Sequence, residues 1–221
     1  MVDVERYMER ITAAVVERFG PRVRYVGLQG SYARGEAKES SDVDVMLVLN
    51  ELGVEDMLAY RAIVAQMRGE APSCGFLCGA RELAGWNTLE ICQVLHETRD
   101  YYGRLAPLLP EFTREDVANY VKLGAGNLYH LLGHAYVHGT PALDEECLGG
   151  CLKQAFYMLQ NLLFLRTGRY VAAKRELLDE LKGEERRIMQ MAAEEAALEA
   201  EGTEEAFRLL FGWCAGVLRS L

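Results

Sequence analysis

The chain has 221 residues, 50% of them hydrophobic, and carries a formal net charge of −9 from 33 acidic and 24 basic residues. This composition supports a packed core and excludes a disordered or fibrous protein. The acidic balance disfavours a nucleic acid polymer as partner, and no apolar run reaches the roughly 20 residues needed to cross a bilayer, so we expect a cytoplasmic protein with no membrane partner.

The N-terminal half alternates predicted helices and strands. Apolar residues at helical spacing predict a first helix that Gly20-Pro21 ends, and later apolar runs bounded by turn residues predict strands. The predicted elements are a helix over Val2–Phe19, a strand over Arg22–Leu28, a turn at Gly30-Ser31, a loop over Arg34–Ser40, a strand over Val43–Leu49, a helix over Val54–Arg68 and a short strand over Phe76–Cys78.

Two aspartates stand where the second strand begins. Asp42 and Asp44 are two residues apart, and alternate residues of a strand share a face, so both carboxylates are expected to point the same way. Paired carboxylate oxygens are poor packing partners but suit a hard cation such as Mg²⁺, which usually keeps substrate phosphates among its ligands. The sequence therefore predicts a metal-assisted phosphate site here.

The motif around these aspartates resembles the nucleotidyltransferase superfamily, which includes DNA polymerase β and the small antibiotic nucleotidyltransferases. Its matching parts are, in chain order, Gly30-Ser31, Arg34-Gly35, Ser41 and Asp42-Val43-Asp44. The resemblance implies an α+β catalytic domain, a mixed sheet flanked by helices, in which Asp42 and Asp44 hold two Mg²⁺ ions. It also implies that Gly30, Ser31, Arg34 and Ser41 contact the nucleoside triphosphate, with ATP expected; for Arg34 the alternative is a surface residue that anchors the loop.

A third carboxylate is expected from a later strand in this superfamily. The apolar positions of Leu89–Leu95 fit both a buried strand and a helix, and the resemblance favours the strand. Glu90 is the acid there with apolar neighbours on both sides, so we predict it as the third catalytic and metal-binding carboxylate. Glu97 and Asp100 are the alternatives if the strand is misplaced.

The C-terminal half is predicted to be a helical bundle. Gly103, Pro107 and Pro110 interrupt the periodicity, which gives a catalytic domain over residues 1–108 and a helical domain over 109–221. The predicted helices are Thr113 to His138 with a capping box at Thr113 and Asp116 and an end at Gly139 to Pro141, then Leu143–Thr167, Lys174–Leu181, Glu184–Leu198 and Thr203–Leu218. The bundle resembles the C-terminal domain of kanamycin nucleotidyltransferase and the HEPN group. Lys174 is predicted to reach the triphosphate, and the alternative is an ordinary basic residue on an exposed helix.

Histidines and cysteines offer further candidate ligands. His130, His134 and His138 lie on one face of a predicted helix, where they would contact the acceptor or the base, bind a transition metal, or line a helix contact. The six cysteines are expected to be reduced and most of them to be core residues, although the i, i+4 pairs Cys74/Cys78 and Cys147/Cys151 leave structural zinc as an alternative.

The predicted activity is transfer of a nucleoside monophosphate, with AMP from ATP expected, to a hydroxyl of a small-molecule acceptor with release of pyrophosphate. An acidic cleft would suit a cationic, aminoglycoside-like acceptor. The alternatives are a protein-directed or antitoxin-like nucleotidyltransferase and a non-catalytic nucleotide-binding protein. The sequence also leaves a homodimer open.

Overall fold

The structure, a computed structural model, describes residues 2–139 and 145–221. The chain divides into two compact units, Met1–Glu111 and Phe112–Leu221. The first unit holds a mixed β-sheet with helices and the second is helical, so the predicted α+β class is confirmed. The division falls after residue 111, whereas the sequence prediction placed it after residue 108.

The sheet of the first unit has five strands. They are β1 (Val23–Gln29), β2 (Val43–Leu49), β3 (Ser73–Cys74), β4 (Leu77–Gly79) and β5 (Arg99–Tyr102). β1 pairs antiparallel with β2 and with β5, whereas β3 and β4 both run parallel to β2 along its other edge. The order β3-β2-β1-β5 therefore places β1 and β2 at the centre of the sheet.

Helices cover both faces of this sheet. They are α1 (Val4–Phe19), α2 (Gly30–Ala33), α3 (Val54–Met67), α4 (Ala80–Ala84) and α5 (Thr88–His96). Alternate β2 residues pack on opposite faces: Val45 and Leu47 lie in one core cluster with α1 and α3, while Met46 lies in another with Leu83 of α4. Asp44 is two residues before Met46 on the same strand, so its side chain lies on the same face of the sheet, the one that α4 covers.

The predicted strand over Leu89–Leu95 is wrong, because this segment is helix α5. The Asn87 side chain caps the helix by accepting a hydrogen bond from the backbone N–H of Leu89 at 3.1 Å. Ile91 and Cys92 are buried, and Glu90 is exposed in the first turn. The apolar spacing fits both a strand and a helix, and the N-cap residue Asn87, just outside the segment, favours the helix.

The second unit consists of six described helices: α6 (Arg114–His138), α7 (Glu145–Thr167), α8 (Lys174–Glu180), α9 (Gly183–Ala193), α10 (Glu195–Glu201) and α11 (Thr203–Ser220). The predicted capping box is confirmed, since Asp116 N–H donates to Thr113 Oγ1 at 3.2 Å and Thr113 N–H donates to Asp116 Oδ2 at 2.7 Å. The core of the unit forms around buried residues of α7 and α11, among them Phe156 and Leu210.

Two predicted helix limits, the end at Pro141 and the start at Leu143, lie outside the described residues. The single helix predicted over Glu184–Leu198 is wrong, because the extended backbone of Glu194, with φ −132° and ψ 116°, separates α9 from α10.

Among the helices that the structure describes, none is both long and apolar enough to span a bilayer.

Candidate active site

The Gly-Ser turn and the two aspartates meet at one end of the central strand pair. Because β1 and β2 are antiparallel, the end of β1 lies beside the start of β2, and Gln29 pairs with Asp44. Gly30 follows with a φ of +68°, and a Cβ built on it would lie 1.8 Å from Asp44 Oδ2. Only glycine allows this backbone to lie against the carboxylate.

A donor group of three side chains, Asp42, Asp44 and Cys74, forms at this end of the sheet. One potential ligand atom from each lies within 4.8 Å of the others, and Cys74 on β3 is the register partner of Asp44 on β2. Both aspartates are half-buried and Cys74 is exposed. Two carboxylates at this separation fit a divalent cation, as predicted for Asp42 and Asp44. The third potential donor is the thiol of Cys74, which was predicted as a ligand only in the alternative zinc pair with Cys78.

The three acids considered for the third carboxylate are engaged elsewhere. Glu90 accepts a hydrogen bond from Trp86 Nε1 at 2.7 Å, and buried Glu97 pairs with Arg34. Asp100 accepts from the Tyr25 hydroxyl at 2.7 Å, and burial, reinforced by this carboxylate, raises the pKa of Tyr25 so that the hydroxyl stays protonated. Because Leu89–Leu95 is a helix and not a strand, the argument that placed Glu90 beside Asp42 and Asp44 no longer holds.

Glu90→Gln is expected to change nucleotidyl transfer by no more than about twofold, as for surface substitutions generally. Glu90 lies on an exposed helical turn, and an amide oxygen can still accept the hydrogen bond from Trp86. Steady-state rates of the purified variant and the parent protein test this. A hundredfold loss would restore Glu90 as the third carboxylate.

Arg34 anchors the loop between α2 and β2. Its guanidinium donates to Glu36 Oε2 at 3.0 Å and to Glu97 Oε2 at 2.8 Å. The Arg34 and Glu97 side chains are only 10% and 7% exposed, so this ion pair is nearly buried. The geometry supports the anchoring alternative, and a phosphate contact by Arg34 stays a prediction.

Arg34→Met is expected to lower the free energy of unfolding by about 3 kcal/mol, because it leaves the Glu97 carboxylate buried without its cation. Replacing Glu97 by Met as well should recover most of that loss, since an apolar pair avoids the desolvation cost. Urea denaturation of the single and double variants measures both effects. A single variant as stable as the parent would contradict the pair's structural role.

The remaining predicted nucleotide contacts have local roles in the structure. Ser41 Oγ accepts from the Lys38 backbone N–H at 2.8 Å and closes the loop before β2, while Ser31 lies in α2 directly after Gly30. Lys174 begins α8 within the helical unit, where its Nζ donates to the Ala192 carbonyl at 2.8 Å and lies 5.4 Å from the centre of the Phe156 ring. Nucleotide contacts by these residues stay predictions.

The histidine stripe and the cysteine pairs are also placed by the structure. His130, His134 and His138 are exposed on α6, with successive ring centres 6.0 and 5.0 Å apart. All six cysteines are free, as expected. Within residues 2–139 and 145–221, only the donor group brings three potential metal ligands within reach of one another, so neither the histidines nor the cysteine pairs do so.

Comparison with known proteins identifies the relatives of this chain. Residues 8–99 match the model of the nucleotidyltransferase domain. A protein adenylyltransferase, MntA, of Thermococcus cleftensis is 58% identical over 36 residues, which are 16% of this chain and 34% of that protein, so the match spans about a third of the relative's length. A crystal structure of spectinomycin adenyltransferase from Enterococcus faecialis with ATP and spectinomycin has a TM-score of 0.60 at 13% identity, covering 98% of this chain and 99% of that one.

Proposed function

We propose that this chain, which carries a nucleotidyltransferase domain over residues 8–99, transfers AMP from ATP to a hydroxyl group of a small-molecule acceptor and releases pyrophosphate. The observation that carries the proposal is the contact between the Gly30 turn and the Asp44 carboxylate, with Asp42 beside it. This reaction needs a backbone that can approach phosphate closely and a pair of acids that can hold a cation.

Each part has a role that follows from its chemistry. Asp42 and Asp44 would hold the divalent cation, which when bound neutralises phosphate charge and orients the reacting groups. The backbone N–H groups at Gly30 and Ser31 would bind the β- and γ-phosphates. The acceptor hydroxyl then loses its proton to solvent as its oxygen forms a bond to the α-phosphorus. The bond from that phosphorus to pyrophosphate breaks, with the attacking and leaving oxygens roughly in line.

A small acceptor is supported by the extent of the structural likeness and by charge. The fold similarity to the spectinomycin adenyltransferase extends over 98% of this chain and therefore includes the helical unit as well as the catalytic one. A net charge of −9 favours a cationic acceptor over an anionic polymer. These observations favour an aminoglycoside-like or aminocyclitol-like compound with free hydroxyl groups.

A protein acceptor is the second candidate. Its support is the 58% identity, over 36 residues, to a relative named for adenylyl transfer to protein. That match covers 16% of this chain and 34% of the relative, which is too little to carry over an acceptor from one protein to the other. We therefore rank it below the small molecule.

Incubation of the purified protein with α-labelled ATP and divalent cation separates the candidates. The acceptors are a panel of cationic aminoglycosides and aminocyclitols, a neutral sugar panel as control, and cell extract. Label on a cationic small molecule supports the proposal, and label on a protein band supports the second candidate. Nucleotide binding without pyrophosphate release under every condition would contradict both and leave a nucleotide-binding protein.

A further inference from the structure

We propose that Cys74 is a ligand of the divalent cation at this site, so that two carboxylates and one thiolate together select a borderline cation such as Co²⁺ or Zn²⁺ over Mg²⁺. The inference rests on the proposed function in taking the donor group as the place where the cation binds. It goes further by naming the third ligand and the class of metal.

The backbone fixes Cys74 beside the aspartates. Cys74 and Asp44 are register partners on adjacent parallel strands, and side chains of such partners lie on the same face of the sheet. On one side of Cys74, Ser73 Oγ donates to the Val43 carbonyl at 3.3 Å; on the other, Phe76 N–H donates to the Val45 carbonyl at 3.2 Å. The backbone that carries the thiol is therefore held against β2 on both sides of Cys74.

Gly75 secures this placement. Its φ is +135°, and a Cβ on it would lie 2.1 Å from the Val45 carbonyl oxygen, so the chain after Cys74 lies directly against β2. Glycine at a point of close backbone approach is the usual requirement in such a strand. The strand edge that carries Cys74 is thus held close to the strand that carries Asp44.

Cys74 differs from the other five cysteines. All six lie in the described residues, and Cys74 alone is exposed. Burial raises the pKa of Cys78, Cys92, Cys151 and Cys214 to about 12, which keeps those thiols protonated and poor as ligands. Cys147, half-buried in the helical unit, is the closest match in exposure and serves as the control.

The donor set decides the metal. Mg²⁺ requires hard oxygen ligands in near-ideal octahedral geometry, whereas thiolate sulfur favours softer cations. Zn²⁺ accepts both carboxylate oxygen and thiolate sulfur, and Co²⁺ accepts similar ligands. Exchange of an outer-shell partner already lowers metal affinity roughly 10- to 100-fold, so loss of the thiolate itself should cost at least about tenfold.

Cobalt titration of the full chain, without nucleotide or acceptor, tests the proposal. Co²⁺ bound to a thiolate shows a sulfur-to-metal charge-transfer band in the near ultraviolet. We expect this band at one equivalent of Co²⁺ in the parent protein and in Cys147→Ser. In Cys74→Ser the band should vanish and the affinity for Co²⁺ should fall at least about tenfold. In Cys74→Asp the band should vanish while the affinity for Mg²⁺ rises.

Persistence of the band in Cys74→Ser, or an unchanged Co²⁺ affinity in that variant, would overturn the proposal. Because no nucleotide is present, the outcome is independent of transfer activity. If the band is lost in Cys74→Ser but kept in Cys147→Ser, and no acceptor is modified, the result would support Cys74 as a metal ligand and contradict the proposed function. If transfer with Mg²⁺ is the same in Cys74→Ser as in the parent protein and no thiolate band is seen, the result would support the proposed function and contradict Cys74 as a metal ligand. Circular dichroism of each variant verifies that it is folded.

Discussion

Replacing Asp44 by Asn is expected to lower nucleotidyl transfer at least about 10³-fold. The substitution keeps the side-chain shape but removes one of the two negative charges that would hold the cation. A bound cation contributes several kcal/mol of charge stabilisation in the transition state, and about 1.4 kcal/mol corresponds to a factor of ten in rate. The measurement is kcat/KM with saturating divalent cation, and Asp42→Asn should behave alike.

The matched control is Glu39→Gln, which neutralises an exposed carboxylate in the loop just before the aspartates. It should keep transfer within about twofold of the parent, as expected for a surface change. The melting temperature of Asp44→Asn should stay within a few degrees of the parent value, which separates loss of chemistry from loss of fold. An Asp44→Asn protein with half of the parent activity would contradict the cation-binding role of the pair.

Gly30→Ala is expected to lower transfer at least about 100-fold, because a displacement of roughly 1 Å at a reacting centre can cost that much. The new Cβ would lie 1.8 Å from Asp44 Oδ2, so the carboxylate must move. Gly35→Ala is the matched control: its φ of +72° resembles the +68° of Gly30, but no atom lies within 4 Å of its new Cβ. In both variants the left-handed backbone lowers stability by roughly 1–2 kcal/mol, and only in Gly30→Ala does the new Cβ also collide with the Asp44 carboxylate.

A double-mutant cycle isolates that collision. In an Asp44→Ala background the carboxylate is absent, so Gly30→Ala should cost less stability than it does in the parent protein. Denaturant titration of the four proteins gives the coupling free energy, which we expect to be about 1 kcal/mol or more. Equal stability losses for Gly30→Ala in both backgrounds, or an equal loss of transfer in Gly35→Ala, would contradict the contact.

Much of the central site could be predicted because it depends on local rules. Alternation along a strand placed Asp42 and Asp44 together, and the Gly30-Ser31 turn between two apolar runs placed the turn beside them. These features need no knowledge of distant contacts. The end of α1 at Phe19 and the capping box of α6 followed from equally local signals, whereas α1 begins at Val4 and not at the predicted Val2.

The third donor could not be predicted in this way. Periodicity over Leu89–Leu95 fits a strand and a helix equally. The resemblance to the nucleotidyltransferase superfamily favoured the strand, whereas the cap at Asn87 favours the helix that the structure has. Cys74 lies on a strand of two residues, too short to show any alternation. A serine, a cysteine and a glycine in succession carry little strand preference, so pairing with β2, a tertiary contact, defines the strand.

The nucleotidyl-transfer claim is tested most directly by following two positions of the label. Parallel reactions contain α-labelled or γ-labelled ATP, a divalent cation, the acceptor panel, and either the parent protein or an Asp42→Asn, Asp44→Asn double variant. The predicted result is α-label in the modified acceptor and γ-label in pyrophosphate, both absent with the double variant. Transfer of the γ-label to an acceptor, or α-label transfer that persists in the double variant, would contradict nucleotidyl transfer at this site.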